Sequence, residues 1–357
     1  MTDRPWPDAR HLVALARLLC RPAPPLVAAA RLESSGGLEP IAAALGASAD
    51  RALVARVQAN LREFQRAGGS ILTYWDAAYP QLLRHIARPP VVLFVRGDPA
   101  VLARPAVALV GARAATLGAR TWTHDVAADL ARCGLVIASG LARGIDAAAH
   151  QGALAAGGAT VAVLGCGPDI CYPPEHAPLA ARVVASGCLV TEFPPGTPPR
   201  AWHFPMRNRI LAGLVSGVVV VQAEPKSGAL VTARHALDEN RQLMAVPGEI
   251  ADPRSRGPHA LLRDGAALVE DAGDILRNLG LEPAAAGAGR GPETDAVLGG
   301  DLGALWRALG KSAEIETLRA RLGWSAERLL RVLAELELAG LVRRQPGGTV
   351  CRTSRRC

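Results

Sequence analysis

The amino-acid sequence predicts an α/β protein, a doubly wound parallel sheet flanked by a small helical module and a winged helix. Three observations point there. Short runs that are apolar almost throughout recur along the middle of the chain, at Val107 to Val110, Leu135 to Ala138, Thr160 to Leu164, Cys188 to Thr191, Val218 to Val221 and Leu243 to Val246. Helical stretches such as Ala119 to Cys133 and Ile145 to Ala156 separate them, and strands apolar on both faces and spaced by helices specify a parallel sheet covered on both sides. The end of the chain reads instead as three helices and a hairpin.

Taken in order, residues 1–68 form the helical module. Leu12, Val13, Leu15, Leu18 and Leu19 have helical spacing, Pro22 to Pro25 break it, and Ser34-Ser35-Gly36-Gly37 is a turn. A packing or interaction role without chemistry is expected of it. Residues 69–282 form the sheet domain, and residues 283–301, rich in Ala, Gly and Pro, a linker. In residues 302–357, helices fall at Leu302 to Leu309, near Glu314 to Leu322 and from Ser325 to Gly340. Strands at Leu341 to Arg344 and Thr349 to Arg352, joined by Gln345-Pro346-Gly347-Gly348, complete a winged helix. Such domains bind duplex DNA or proteins, and the mixed charges of the third helix, Arg328 and Arg331 against Glu327, Glu335 and Glu337, leave both open.

Composition sets bounds on function. A chain of 357 residues, half of it apolar, is long enough for two or three domains. Its longest apolar runs fall far short of a membrane span, and Met1-Thr2-Asp3-Arg4-Pro5 has no signal-peptide character. A cytoplasmic protein with no membrane partner is expected. Seven cysteines without a C-x-x-C pair fit a reducing compartment and argue against both a disulfide framework and a zinc site. The formal charge of +8 suits a polyanionic partner. Most of the surplus sits in residues 302–357, with 11 Lys/Arg against 5 Glu.

Parallel sheets bind ligands beyond the carboxyl ends of their strands, and the chemistry-bearing motifs fall there. Gly111-Ala112-Arg113 follows the first apolar run, with Thr116 beyond it; Ser139-Gly140, with Arg143 and Gly144, follows the second; Gly165-Cys166-Gly167 follows the third and Glu192 the fourth. Lys226-Ser227-Gly228 has the same form, and Phe204-Pro205-Met206-Arg207-Asn208-Arg209 sets two guanidiniums where a loop should become a helix. Glycines that turn tightly, with cations and hydroxyls near helix N-termini, accommodate phosphate, so one shared anion site is expected. Phe204 either stacks a base or fills the core, and Arg207 and Arg209 either track phosphates or brace the sheet through carboxylates such as Glu192. Asp146 and His150, four apart on a helix, read as cap and packing rather than an acid–base pair. No G-x-x-x-x-G-K-[ST] is present, and Gly165-Cys166-Gly167-Pro168-Asp169-Ile170 lacks the third glycine of a dinucleotide fingerprint.

In order and spacing, Val107 to Arg113, Ser139 to Asp146 with His150, Gly165-Cys166-Gly167 with Tyr172-Pro173, Phe204 to Leu214, Lys226 to Ala233 and Ala245-Val246-Pro247-Gly248 resemble the DprA/Smf family of bacterial DNA-processing proteins. The likeness covers roughly residues 70–275, and the flanking modules resemble that family's SAM-like N-terminal domain and C-terminal domain. It implies an extended Rossmann fold that binds single-stranded DNA in a basic pocket, forms a homodimer and loads the RecA recombinase on strands entering during natural transformation. It implies no catalytic reaction, cofactor or metal. The resemblance puts Gly111, Arg113 and Phe204 at the DNA. Thr116, Ser139, Gly140, Arg143, Gly144, Arg207, Asn208, Arg209, Lys226, Ser227 and Gly228 complete the expected DNA-binding set. The chain departs from the family pattern at Ala112, where Ser or Thr is common, at Gln222, where an acid usually stands, and at Ala201, where a base is frequent, although Arg200 is adjacent.

The competing expectation is a nucleotide-processing enzyme similar to the lysine-decarboxylase-like phosphoribohydrolases, whose pattern is P-G-G-x-G-T-x-x-E. At the comparable place Glu224-Pro225-Lys226-Ser227-Gly228-Ala229-Leu230-Val231-Thr232 keeps one glycine, and no glutamate follows before Glu239.

Overall fold

The structure is a computed structural model and describes residues 26–44, 51–281, 300–310, 312–338, 341–345 and 348–352. The helical spacing of Leu12 to Leu19, the break at Pro22 to Pro25, the linker up to residue 299 and the hairpin tip at Pro346 and Gly347 lie outside these residues. The chain divides into two compact units, residues 1–283 and 284–357.

The first unit is built on one nine-stranded sheet: β1 (Gly69–Thr73), β2 (Val92–Gly97), β3 (Ala106–Val110), β4 (Val136–Ser139), β5 (Thr160–Val163), β6 (Cys188–Thr191), β7 (Gly217–Val220), β8 (Gln242–Ala245) and β9 (Ala267–Leu268). Their order is β1-β2-β6-β5-β4-β3-β7-β8-β9. The strands from β6 across to β9 run parallel, and the six expected strands are β3 to β8. Two further strands, β1 and β2, extend the sheet beyond β6 through antiparallel pairings, an edge outside the six expected strands. The apolar run Val91 to Val95 marked β2 as well as any other strand was marked. Its direction, however, depends on which edge the chain returns to, and that is a long-range choice. The two residues of β9 are too few to give a periodicity.

Helices α1 (Ala29–Ser35), α2 (Leu38–Ala44), α3 (Arg51–Arg66), α4 (Gln81–Arg84), α5 (Leu117–Arg132), α6 (Ile145–Ala155), α7 (Ala177–Ser186), α8 (His203–Gly213), α9 (Gly228–Asp238), α10 (Arg256–Arg263) and α11 (Ala272–Asn278) complete the unit. Both faces of the sheet are covered, as all-apolar strands require. Along β3 the side chains alternate. Val107 and Leu109 pack with Val126, Leu130 and Ile145 on one face, whereas Ala108 and Val110 pack with Ile210, Leu211 and Ala233 on the other. Leu32, Ile41, Leu61 and Phe64, from α1 to α3, join that second cluster together with Leu93 and Phe94 of β2. Phe64 meets Phe94 edge-on at 6.0 Å between ring centroids. The described N-terminal helices therefore share the sheet's core.

In the second unit, α12 (Gly300–Leu309), α13 (Ile315–Leu322) and α14 (Ala326–Leu338) pack with β10 (Ser312–Glu314), β11 (Val342–Gln345) and β12 (Thr349–Arg352) around Leu305, Leu309, Leu318, Leu333 and Val350. This is a winged helix with its own core. The sheet is antiparallel in the order β10-β12-β11. β10 adds a strand to the expected hairpin, its three residues held by pairing with β12 rather than by a pattern of their own. On α14, Arg328 forms a two-point ion pair with Asp301, at 2.9 and 2.6 Å, and lies 4.8 Å from the Trp324 ring.

Among the described residues no helix is long and apolar enough to cross a membrane, and no group of His, Cys, Asp and Glu could hold a metal ion.

Candidate functional site

The sheet has a switch point between β3 and β7. From β3 the chain proceeds to β4 on one side, and β7 lies on the other. Loops leaving adjacent strands in opposite directions open a crevice at the carboxyl edge, where such sheets bind ligands. A groove of about 680 Å³ occupies this place, with Gly111, Arg113, Phe204, Lys226, Ser227 and Gly228 in its wall.

Local chemistry fixes each wall. Gly111 leaves β3 where an added Cβ would stand 2.6 Å from Ile145 and 2.9 Å from the Gln222 carbonyl. Gly144, at φ +74°, sits under the same turn, with space for a Cβ closed 2.2 Å away by the Ala112 carbonyl. The Ile145 amide donates to that carbonyl at 3.3 Å. These glycines let two junctions press together. Thr116 caps α5 by accepting from the Ala119 amide at 3.2 Å, and Ser227 caps α9 by accepting from Ala229 at 3.2 Å. Gln222, in the place of the usual acid, accepts from the Thr116 amide at 3.0 Å and donates to Asp252 at 3.3 Å.

The exposed Arg113 sits 5.7 Å from the centroid of the Phe204 ring, within cation–π range. Phe204 is half-buried, and Tyr172, 40% exposed, leans on it at 5.5 Å. Gly165 makes room for this ring, since a Cβ there would stand 2.9 Å from Phe204 Cδ1. Lys226 and Arg200 are exposed on the groove wall. The groove thus offers an aromatic pair next to several exposed cations.

The two other arginines of the α8 motif are placed differently from the expectation of paired anion ligands. The helix starts at His203, earlier than expected, because Pro205 in the first turn needs no intrahelical amide bond. Arg207 and Arg209 then stand two apart on a helix and face different directions. The Arg207 guanidinium, buried, donates to the carbonyls of Gly140, at 3.0 Å, and Val163, at the ends of β4 and β5. Gly140 is glycine for that reason: a Cβ would stand 2.2 Å from Arg207 Nη2. Arg209 is buried against Glu192 at 2.6 Å, which settles the bracing alternative in its favour. Asn208 accepts from Arg207 Nε at 3.1 Å and donates to the Gly228 carbonyl at 3.2 Å. Arg207 and Asn208 form the groove floor and tie it to α9; Arg209 serves the sheet.

Ser139 is likewise corrected from phosphate ligand to frame, being fully buried with its hydroxyl donating to the Leu109 carbonyl at 2.7 Å. Arg143 is exposed but paired with Glu175. Asp146 accepts from the amides of Gly140 and Ala142 at 3.1 and 3.3 Å. Burial raises its pKa, opposed by Arg207, whose own is lowered by burial. Burial likewise raises Glu192, against the pull of Arg209. His150 Nδ1 bonds the Thr160 hydroxyl at 2.7 Å, and burial lowers its pKa to about 3, so it is a neutral core histidine. Tyr172 and Arg254 line the groove without having been assigned from the sequence. Tyr172 stood in a quoted motif; Arg254, which donates to Ala114 at 3.0 Å, gave no local signal.

Comparisons with known proteins show the family. Residues 70–280 match the family model described as DNA recombination-mediator protein A, and residues 291–348 match the DprA winged helix domain. Protein Smf of Escherichia coli is 40% identical over 285 residues, spanning 78% of this chain and 76% of that protein. The crystal structure of DNA processing protein A from Streptococcus pneumoniae aligns with a TM-score of 0.60 at 37% identity, covering 71% of this chain and 87% of the other. DNA processing protein A from Helicobacter pylori, whose single-stranded DNA binding mode was the subject of its structure, aligns with a TM-score of 0.53 at 29% identity over 59% and 95% of the two chains. With the sheet domain matched over nearly its whole length and the winged helix matched beside it, the chain belongs to the DprA/Smf family, the DNA recombination-mediator protein A family.

Proposed function

We propose that this protein binds single-stranded DNA in the switch-point groove and acts as a recombination mediator without catalysing a reaction. The observation that carries the reading is the Arg113 guanidinium 5.7 Å from the Phe204 ring centroid at the mouth of the groove. An unstacked base rests on the Phe204 and Tyr172 rings, while Arg113, Lys226 and Arg200 neutralise the phosphates on either side, the combination that sequence-tolerant strand binders use. Duplex DNA keeps its bases stacked and gains only the charges. The absence of catalysis is supported by how the titratable groups are used. Asp146 is held by two amides, and burial pushes the Cys166 thiol up to about 12. Loading of RecA on the bound strand and a homodimeric state are part of the same proposal and rest on the family membership. The test is fluorescence anisotropy of a labelled oligothymidine across a salt series. Binding that weakens steadily with salt and is weaker in Phe204→Ala supports the reading, and salt-indifferent or absent binding overturns it.

A further inference from the structure

A second cavity, of about 230 Å³, lies between α3 and the proline-rich segment that follows β6. Its walls are Val57 and Leu61 of α3 on one side and Pro194, Pro195 and Pro198 on the other. Asn60, Thr197 and His203 supply polar edges. Arg200 lines both this cavity and the switch-point groove, so the two openings meet at one exposed cation. Aliphatic and proline carbons beside an equally large share of polar lining suit a heterocycle that has apolar faces and hydrogen-bonding edges.

The segment is held in shape before any ligand arrives. Thr197 donates through its hydroxyl to the Pro194 carbonyl at 2.7 Å, the Gly196 amide donates to Asp169 at 2.9 Å, and the Gly167 amide donates to the Thr197 carbonyl at 2.8 Å. Gly167 must be glycine for this, because a Cβ would stand 2.8 Å from the Pro194 carbonyl and 3.0 Å from the Thr197 nitrogen. The Gly165-Cys166-Gly167 motif thereby acquires a division of labour: Gly165 seats the Phe204 ring and Gly167 seats the proline loop. His203, neutral because burial lowers its pKa, donates Nδ1–H to the Gly165 carbonyl at 3.0 Å and keeps Nε2 as a hydrogen-bond acceptor. On α3, exposed Arg56 stands one turn before Asn60, on the same side of the helix.

We infer that this cavity is a second nucleobase subsite, which takes a base from the same DNA strand after its backbone passes Arg200. The inference rests on the single-strand reading of the groove. Arg200 and Arg56 hold the phosphates, the prolines and Val57 cover the ring faces, and Asn60 meets the ring edge.

The experiment is anisotropy of full-length protein with oligothymidines of roughly 4 to 16 nucleotides, comparing wild type, Asn60→Met and Phe204→Ala. Methionine is a good helix former, and its long unbranched side chain fills the cavity without offering an aromatic face. Wild type is expected to gain affinity in a step once the oligomer is long enough to reach both sites. Asn60→Met should remove that step, a loss of roughly 5- to 100-fold for long oligomers, while short oligomers bind as before; Phe204→Ala should weaken all lengths. A second readout needs no variant: 2-aminopurine placed at successive positions should change fluorescence at two separated positions. One responsive position, or an Asn60→Met profile equal to wild type at every length, overturns the second subsite and leaves the groove standing. No binding by wild type at any length overturns both.

Discussion

Arg113→Ala isolates the switch-point groove from the rest of the protein. Arg113 is exposed, its guanidinium lies near the ring of Phe204, and its side chain has no ion pair or hydrogen bond among the described residues, so its removal should leave folding within about 0.5 kcal/mol of wild type. Binding should respond differently. A guanidinium–phosphate hydrogen bond contributes roughly 1.5–3 kcal/mol, so the oligothymidine Kd should rise about 10- to 150-fold at low salt. Loss of one neutralised phosphate should also reduce the slope of log K against log salt by about 0.7. Anisotropy titrations at several salt concentrations read both quantities from one data set, and a thermal melt checks the fold. Affinity within about twofold of wild type with an unchanged slope would refute the placement of the strand at Arg113, even if the protein still bound DNA. Weaker binding with an unchanged slope would mean that Arg113 orients Phe204 instead of meeting a phosphate.

Other consequences test the frame around the groove. Gly165→Ala places a Cβ 2.9 Å from the Phe204 ring; the ring should shift, weakening strand binding by roughly tenfold with little change in melting temperature, and undiminished binding would show that the ring position is unimportant. Glu192→Ala leaves the buried Arg209 guanidinium without its carboxylate, which should lower unfolding free energy by about 3–5 kcal/mol in urea titrations. A loss below about 1 kcal/mol would contradict a buried pair. His150 gives a pH dependence with a definite sign. Its folded pKa of about 3 lies below the ordinary histidine value of 6.5, so the unfolded chain takes up the proton first, and stability is retained above 6.5 and lost as pH falls toward 3. At pH 5 this one residue should account for about 2 kcal/mol of destabilisation relative to pH 8. Urea midpoints of wild type and His150→Leu at both pH values check it, and equal pH slopes for the two proteins would remove His150 as the cause.

Much of the site was legible in the sequence because glycines next to strand ends mark places where backbone or bulky groups approach closely. What each glycine accommodates was less legible. Gly140 and Gly144 read as phosphate cradles, yet one is filled by the Arg207 guanidinium and the other by the Ala112 carbonyl. Arg207 and Arg209 read as one cationic pair. Helix geometry separates them, and only the placement of α8 across the ends of β4 and β5 decides that Arg207 meets carbonyls there while Arg209 meets Glu192. Tyr172 and Arg254 reach the groove through contacts far apart in sequence, with Ala114 and Arg254 separated by 140 positions.

The sequence by itself determined the alternation of strands and helices, the winged helix and the motif set that carries the family likeness, because apolar periodicity and glycine placement are local properties. Tertiary structure alone decided the antiparallel edge of β1 and β2, the shared core of α1 to α3 with the sheet, and which cations face solvent. Those outcomes depend on which surfaces meet. A guanidinium has the same local pattern whether it ends in water or against a carbonyl, and its environment is set by segments that the chain brings back from a distance.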